Sequence, residues 1–246
     1  MPSLYLYAIA RADATIPDGL SGLNDQPVRS IAGGDIMALA SAAPDGRIRP
    51  RRRNLKAHHE VIKRMAASDT VLPMAFGVIA DSETHIRSFL TAHSRPLHEQ
   101  LDALNGHVEV GVRVSWNVDD IFAHFVERYD ELRALRDSFF GNDRSASRQE
   151  MIQLGERFEA LLEAERRAHQ STVEDHLRNV CPRIVADDPR DESEAVNLAC
   201  LVPRTAMDAF EEALHEAASD FDDVFTFTYT DPLAPYSFAE VSFGDA

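Results

Sequence analysis

The segment His58-His59-Glu60 comes closest in this sequence to a metal-binding or catalytic pattern. A zinc hydrolase of this kind needs the spacing HExxH, which places two imidazoles one helical turn apart on the same helix face. Here Lys63 stands where the second histidine is needed, and a lysine ammonium is not a metal ligand. His58 and His59 are adjacent, so on a helix they point about 100° apart. The sequence therefore predicts no metal site at this segment.

Other catalytic patterns are also missing from the sequence. It contains no GxxxxGK[ST] phosphate loop, no GxGxxG fingerprint and no GxSxG elbow. Pairs of carboxylates could perform acid–base chemistry, but each pair lies at the end of a predicted element, where carboxylates cap helices or flank turns. These pairs are Asp119-Asp120, Asp187-Asp188 and Asp222-Asp223. We therefore expect no catalytic residues, no cofactor and no enzymatic activity.

One basic stretch stands out in a strongly acidic chain. The formal net charge is −16, most of it carried by the second half, and a field of this sign disfavours nucleic acids and anionic membranes as partners. Arg47 to Arg53 nevertheless reads RIRPRRR. It could contact an acidic partner or a phosphate, or form a solvated loop before a helix. The second interpretation is favoured because no aromatic residue interleaves the arginines, as single-strand binding would require.

The cysteines and the longest apolar runs indicate the compartment. Cys181 and Cys200 lack CxxC spacing. We expect two buried thiols in preference to a disulfide. No uncharged apolar run approaches the roughly 18 residues of a membrane span. We expect a soluble, cytoplasmic protein.

The element pattern predicts an α+β fold with two domains. Strand patterns occur at LYLYAIA, on both sides of the turn Gly33-Gly34-Asp35, at TVLPMAFGVI and at HVEVGVRVSW, with amphipathic helices between the later ones. The polar stretch GNDRSASRQ, from Gly141, marks the predicted boundary. Residues 1–140 form one domain, and residues 141–246 form another that opens with a long helix. Because strands and helices do not alternate strictly, we expect antiparallel sheets covered by helices, close to ferredoxin-like, with long helices at the junction.

Three stretches, in order along nearly the whole chain, resemble the gas vesicle GvpF/GvpL family. They are the opening LYLYAIA, the central block HHEVIKRMAASDTVLPMAFGVIADSETHIRSFL and the closing DPLAPYSFAEV. The strand GHVEVGVRVSW is similar to another segment of the family. The resemblance implies a non-enzymatic accessory protein found at the gas vesicle. It also implies, as partners, the small hydrophobic major shell protein and other gas vesicle accessory proteins.

Apolar and aromatic patches are the surfaces expected to engage such a client. The predicted partner-binding residues come from the LPMAFG strand and the closing segment. They are Leu72, Pro73, Met74, Phe76, Pro232, Leu233, Pro235, Tyr236 and Phe238. Alternation in YSFAEVSF also fits a half-buried edge strand of the second domain, in which Tyr236 and Phe238 complete the core. A different class of function, a small-ligand-binding regulatory module on the same scaffold, stays open because fold alone does not exclude it.

Overall fold

The computed structural model describes residues 3–44, 46, 48–140 and 146–243 of the chain. Helices pack with two antiparallel sheets, so the predicted α+β class is confirmed. The elements, in chain order, are β1 (Leu4–Arg11), β2 (Arg29–Gly33), β3 (Ile36–Ala42), α1 (Arg52–Ala66), β4 (Val71–Pro73), β5 (Ile79–Ala80), α2 (Glu83–Ala92), α3 (Ser94–Ala103), β6 (His107–Trp116), α4 (Ile121–Arg128), α5 (Asp130–Phe140), α6 (Arg148–Leu177), β7 (Arg183–Ala186), β8 (Glu194–Pro203), α7 (Met207–Ala218) and β9 (Phe225–Tyr229).

The chain divides into two compact units whose limits differ from the predicted domains 1–140 and 141–246. The first unit holds the residues up to Glu109 together with those from Asp231 onward, and the second is Val110–Thr230. Helices α4 and α5 belong to the second unit because they pack on α6; the Phe125 and Phe158 rings, for example, lie 5.4 Å apart. Of the predicted boundary segment, residues 141–145 lie outside the described residues.

The first unit is built around β1. Its strand order is β2-β3-β1-β4, with β5 also paired to β1, and all of these pairings are antiparallel. Every residue of β1 except the last is buried, as an apolar central strand requires. The predicted hairpin joins β2 to β3 through Gly34, whose φ of 77° suits glycine, and Asp35.

Local sequence rules account for several helix boundaries. The Ser82 side chain accepts the His85 amide at the start of α2, and the Asp120 side chain accepts the Ala123 amide at the start of α4. Ser147 and Glu150 form a capping box on α6. The amphipathic stretch that follows Asp120 is divided into two helices, α4 and α5. The chain breaks at Tyr129, which adopts an extended conformation with φ −113° and ψ 108°.

The second unit contains a sheet of strand order β7-β8-β6-β9, in which β6 pairs antiparallel with β9 and β7 with β8. Its core includes Trp116, Phe125 and Phe210. Cys181 and Cys200 are both buried and not joined in a disulfide, in agreement with the expectation of thiols.

The closing segment, residues 231–243, belongs to the first unit, and its YSF stretch is not the edge strand of the second domain that the alternation in YSFAEVSF suggested. Leu233 and Glu109 exchange two backbone hydrogen bonds of 2.8 and 3.0 Å. The buried Glu109 carboxylate accepts the Ser237 amide at 2.7 Å and the Ser237 hydroxyl at 3.1 Å. Gln100 bonds both the amide and the carbonyl of Glu240. Tyr236–Phe238 forms a short 3-10 turn. Pro235 has no amide hydrogen to donate to the ladder of hydrogen bonds that an edge strand would need.

Removing the Glu109 carboxylate is expected to release this segment. In a Glu109→Ala variant the Ser237 amide loses its charged acceptor, which should lower the free energy of unfolding by roughly 1–3 kcal/mol. Hydrogen exchange should accelerate at residues 233–240. Glu99→Ala is the matched control, because its side chain is 64% exposed and pairs with Arg95 on the same helix. Equal exchange in the two variants would show that Glu109 does not anchor the segment.

Candidate functional site

A buried polar network supports the candidate site from below. His58, on α1, is only 4% exposed, and its ring contacts the rings of both Tyr5 and Tyr7 on β1. Its Nδ1 is 3.0 Å from the Tyr5 hydroxyl, and its Nε2 is 3.1 Å from the Met74 carbonyl oxygen. Because that carbonyl can only accept, Nε2 carries the proton, and Nδ1 accepts from Tyr5. The imidazole thus ties α1 to β1 and to the loop after β4.

The two tyrosines extend the network into two loops. The Tyr5 hydroxyl accepts the Gly77 amide at 3.0 Å, which fixes the loop after β4. The Tyr7 hydroxyl accepts the Leu23 amide and bonds the buried Ser41 hydroxyl, both at 2.8 Å. Burial raises the pKa of Tyr5 to about 12, so its hydroxyl keeps the proton that His58 needs.

An open groove of about 890 Å³ lies above this network in the first unit. Its apolar and aromatic lining comes from Leu55 and His59 on α1, Phe76 after β4, and Tyr236 of the closing segment. The Phe76 ring stands edge-on to the His58 ring, with centroids 5.6 Å apart. Arg52 and Lys56 also line the groove and make it basic. We call this feature the aromatic groove.

Tyr236 is fixed in the wall of the groove by His59. Their rings are nearly parallel, at 14°, with centroids 5.8 Å apart, and His59 Nδ1 lies 3.1 Å from the Tyr236 hydroxyl. Burial, together with the nearby Glu109 carboxylate, raises the pKa of Tyr236. The phenol is therefore neutral and presents a half-buried face to the groove.

The structure separates the nine predicted partner-binding residues into buried and accessible ones. Phe76 and Tyr236 are partly accessible and line the aromatic groove, while Pro232 is exposed and Leu233 partly exposed outside its lining. The remaining five are buried, so they support the surface instead of forming it, although Met74 still borders the groove. These five are Leu72, Pro73, Met74, Pro235 and Phe238.

Sequence reasoning missed Leu55, His59 and the basic pair Arg52 and Lys56 as groove residues. Leu55 shares a helical stripe with buried residues, yet it is 42% exposed because it lies one turn before the part of α1 that packs on the sheet. His59 meets Tyr236 across 177 positions of sequence, a pairing that no local pattern reveals.

The groove offers no arrangement for metal chemistry. Both nitrogens of His58 are bonded within the protein, and His59 contacts Tyr236. Across the described ranges, no group of three or more His, Cys, Asp or Glu side chains could hold a metal ion. What the groove can do is bury apolar side chains against aromatic rings and place two cations beside them.

Among the helices of the described residues, none is long and apolar enough to cross a membrane.

Sequence comparison identifies the class of protein. Residues 3–240 match the family described as gas vesicle synthesis protein GvpL/GvpF, and the chain therefore belongs to this family. The resemblance noted from the sequence is thereby confirmed, and the role of the chain is one associated with gas vesicles.

Individual relatives agree with this assignment. Gas vesicle protein F of Dolichospermum flosaquae is 30% identical over 243 residues, which cover 97% of this chain and 98% of the relative. The crystal structure of GvpF from Anabaena sp. PCC7120 matches with a TM-score of 0.81 at 27% identity, covering 98% of this chain and 100% of the other. The crystal structure of GvpF from Microcystis aeruginosa matches with a TM-score of 0.80 at 26% identity and the same coverage.

The buried His58 makes stability depend on pH in a defined direction. Burial lowers its pKa from 6.5 to about 4, an effect that the Met74 carbonyl opposes in part. The unfolded chain then binds more protons than the folded one below pH 6.5. Stability is complete above that pH and is lost, by up to about 3 kcal/mol, as the pH falls to about 4.

A His58→Gln variant should therefore show a shallower loss of stability between pH 6.5 and 4, measured by urea unfolding followed by circular dichroism. The glutamine amide can still donate to Met74 but does not titrate. His169, whose pKa burial also lowers, supplies a remaining slope in both proteins. His98→Gln, at a partly exposed histidine of α3, is the control and should keep the wild-type slope. An unchanged slope in His58→Gln would contradict the assignment.

Proposed function

We propose that this chain is a non-enzymatic gas vesicle accessory protein that binds the small hydrophobic shell protein and assists its assembly. The aromatic groove is the surface that engages this client. The single observation behind the proposal is that a partly exposed leucine and two aromatic rings converge with two basic side chains in one groove of a gas vesicle family member.

The composition of the groove favours a protein segment as its occupant. Aromatic side chains bury large areas at little cost in rotamer entropy, and their enrichment is typical of the centres of protein interfaces. Phe76 and Tyr236 are held from behind by His58 and His59, so their rings are ordered before a partner arrives. Preorganisation of this kind lowers the entropic cost of binding.

The charge of the chain suits an assembly role. A formal net charge of −16 repels other copies of the protein and of its complexes, and so disfavours association beyond the intended contact. A hydrophobic client bound in the groove is therefore kept dispersed until it is transferred to the growing shell. The other gas vesicle accessory proteins are proposed as further partners.

Capture of the purified major shell protein tests the proposal. The double variant Leu55→Ala/Tyr236→Ala removes two groove side chains and should weaken capture about tenfold or more, as loss of an aromatic anchor does. The control Met151→Ala/Ile152→Ala removes two apolar side chains of α6 that are 54% and 50% exposed. It should capture the shell protein as the wild type does.

Circular dichroism of both variants must match the wild type for the comparison to hold. Equal capture by the two double variants would exclude the groove as the docking surface. Absence of capture by the wild-type chain would exclude binding of the shell protein itself.

A further inference from the structure

A second, polar pocket lies in the first unit, beside the aromatic groove but with a different lining. It has a volume of about 400 Å³ and is lined mainly by Asn24, Arg49, Arg51, Arg53 and Asn54. Neither the family assignment nor the proposed docking of a shell protein uses these residues. Three of its arginines belong to the basic stretch RIRPRRR. The sequence favoured a solvated loop for this stretch, with a contact to an acidic partner or a phosphate as the alternative.

The backbone places the three guanidinium groups on one side. Arg51 has extended dihedral angles, φ −78° and ψ 147°, and α1 begins at the next residue. Arg49, Arg51 and Arg53 line the pocket, while Pro50 and Arg52 line the aromatic groove.

Hydrogen bonds hold this arrangement in place. The Arg49 carbonyl accepts the Arg51 amide at 2.7 Å and the Asn54 side-chain amide at 3.0 Å. The turn before α1 is thus closed on itself, and the arginine side chains extend from a fixed backbone.

The pocket concentrates positive charge in an otherwise acidic chain. Within the part of the chain that the structure describes, no ion pair involves Arg49, Arg51 or Arg53. Most other arginines of the described residues pair with Asp or Glu, as expected in a chain with 41 acidic and 25 basic residues. Three guanidinium groups without a carboxylate partner in the described ranges meet around one cavity, an arrangement that suits an anionic ligand.

Backbone donors add to the site. Arg51 provides no side-chain cap for α1, and the Arg52 and Arg53 amides have no acceptor among the described residues. Free amides at the start of a 15-residue helix, together with the helix dipole, favour a negative group at that end.

We propose that this arginine pocket binds the phosphate chain of a small molecule, either an inorganic polyphosphate or a nucleoside triphosphate. Guanidinium groups and helix amides both donate to phosphate oxygens, and a chain of two or three phosphates carries enough charge to engage three arginines together. The site is separate from the aromatic groove, so it does not depend on the function proposed above.

Isothermal titration calorimetry of the full chain with inorganic triphosphate at about 0.15 M salt tests the proposal. The wild type should bind saturably with one site per chain. Arg51→Gln/Arg53→Gln should weaken binding about tenfold or more, since two charge-assisted contacts are lost. Arg52→Gln/Lys56→Gln removes the same charge from the groove side and should weaken binding by less than about threefold.

Two further titrants define the ligand. A nucleoside triphosphate that binds as tightly as inorganic triphosphate shows recognition of the phosphate chain alone, and tighter binding shows a contribution of the nucleoside; both support the site. Tricarballylate, with three carboxylates, should bind at least about tenfold more weakly. The proposal is overturned by the absence of saturable triphosphate binding, by equal losses in the two double variants, or by equal affinity for tricarballylate.

Discussion

The first unit depends on a histidine that is buried without its charge. An imidazole can leave water at acceptable cost only if both nitrogens are bonded, and His58 meets this condition through Tyr5 and the Met74 carbonyl. The same bonds join α1, β1 and the loop after β4. Loss of any one of them would leave a polar atom buried without its partner, which is why these elements hold a fixed relation. The aromatic groove is the outer surface of this arrangement.

A second constraint comes from the closing segment. After β9, which belongs to the second unit, the chain pairs with Glu109 and adds Tyr236 to a wall formed otherwise by α1 and the loop after β4. The prolines of this segment restrict its conformations, and Glu109 supplies a carboxylate for the Ser237 amide. Residues far apart in sequence thus complete one surface. The unit that carries the groove is not formed by the first half of the chain alone.

Local rules predicted much of the fold. The strand at LYLYAIA, the hairpin at Gly34 and the element end at Asp120 all followed from composition and spacing. Long-range pairing was not accessible in the same way. The contact between His59 and Tyr236 spans 177 positions and that between Glu109 and Ser237 spans 128, and periodicity carries no information at such separations.

The candidate site was predicted only in part, because its residues also come together from distant positions in the sequence. The LPMAFG segment, of which only Leu72 and Pro73 lie in a strand, and the closing segment were both chosen as partner-binding segments, and the structure brings Phe76 and Tyr236 to one groove. Alternation alone could not show that Leu72, Met74 and Phe238 face the core, because a central and an edge strand differ in what covers them. The basic residues Arg52 and Lys56 could be recognised as groove residues only after the structure placed α1 beside Tyr236.

Hydrogen–deuterium exchange of the full chain with and without the major shell protein tests the central claim most directly. If the aromatic groove is the docking surface, the shell protein should slow exchange in residues 52–59, 74–77 and 236–238. Exchange within residues 110–230 should stay as it is in the free chain. Protection confined to residues 110–230, with no change at the three groove segments, would contradict the account.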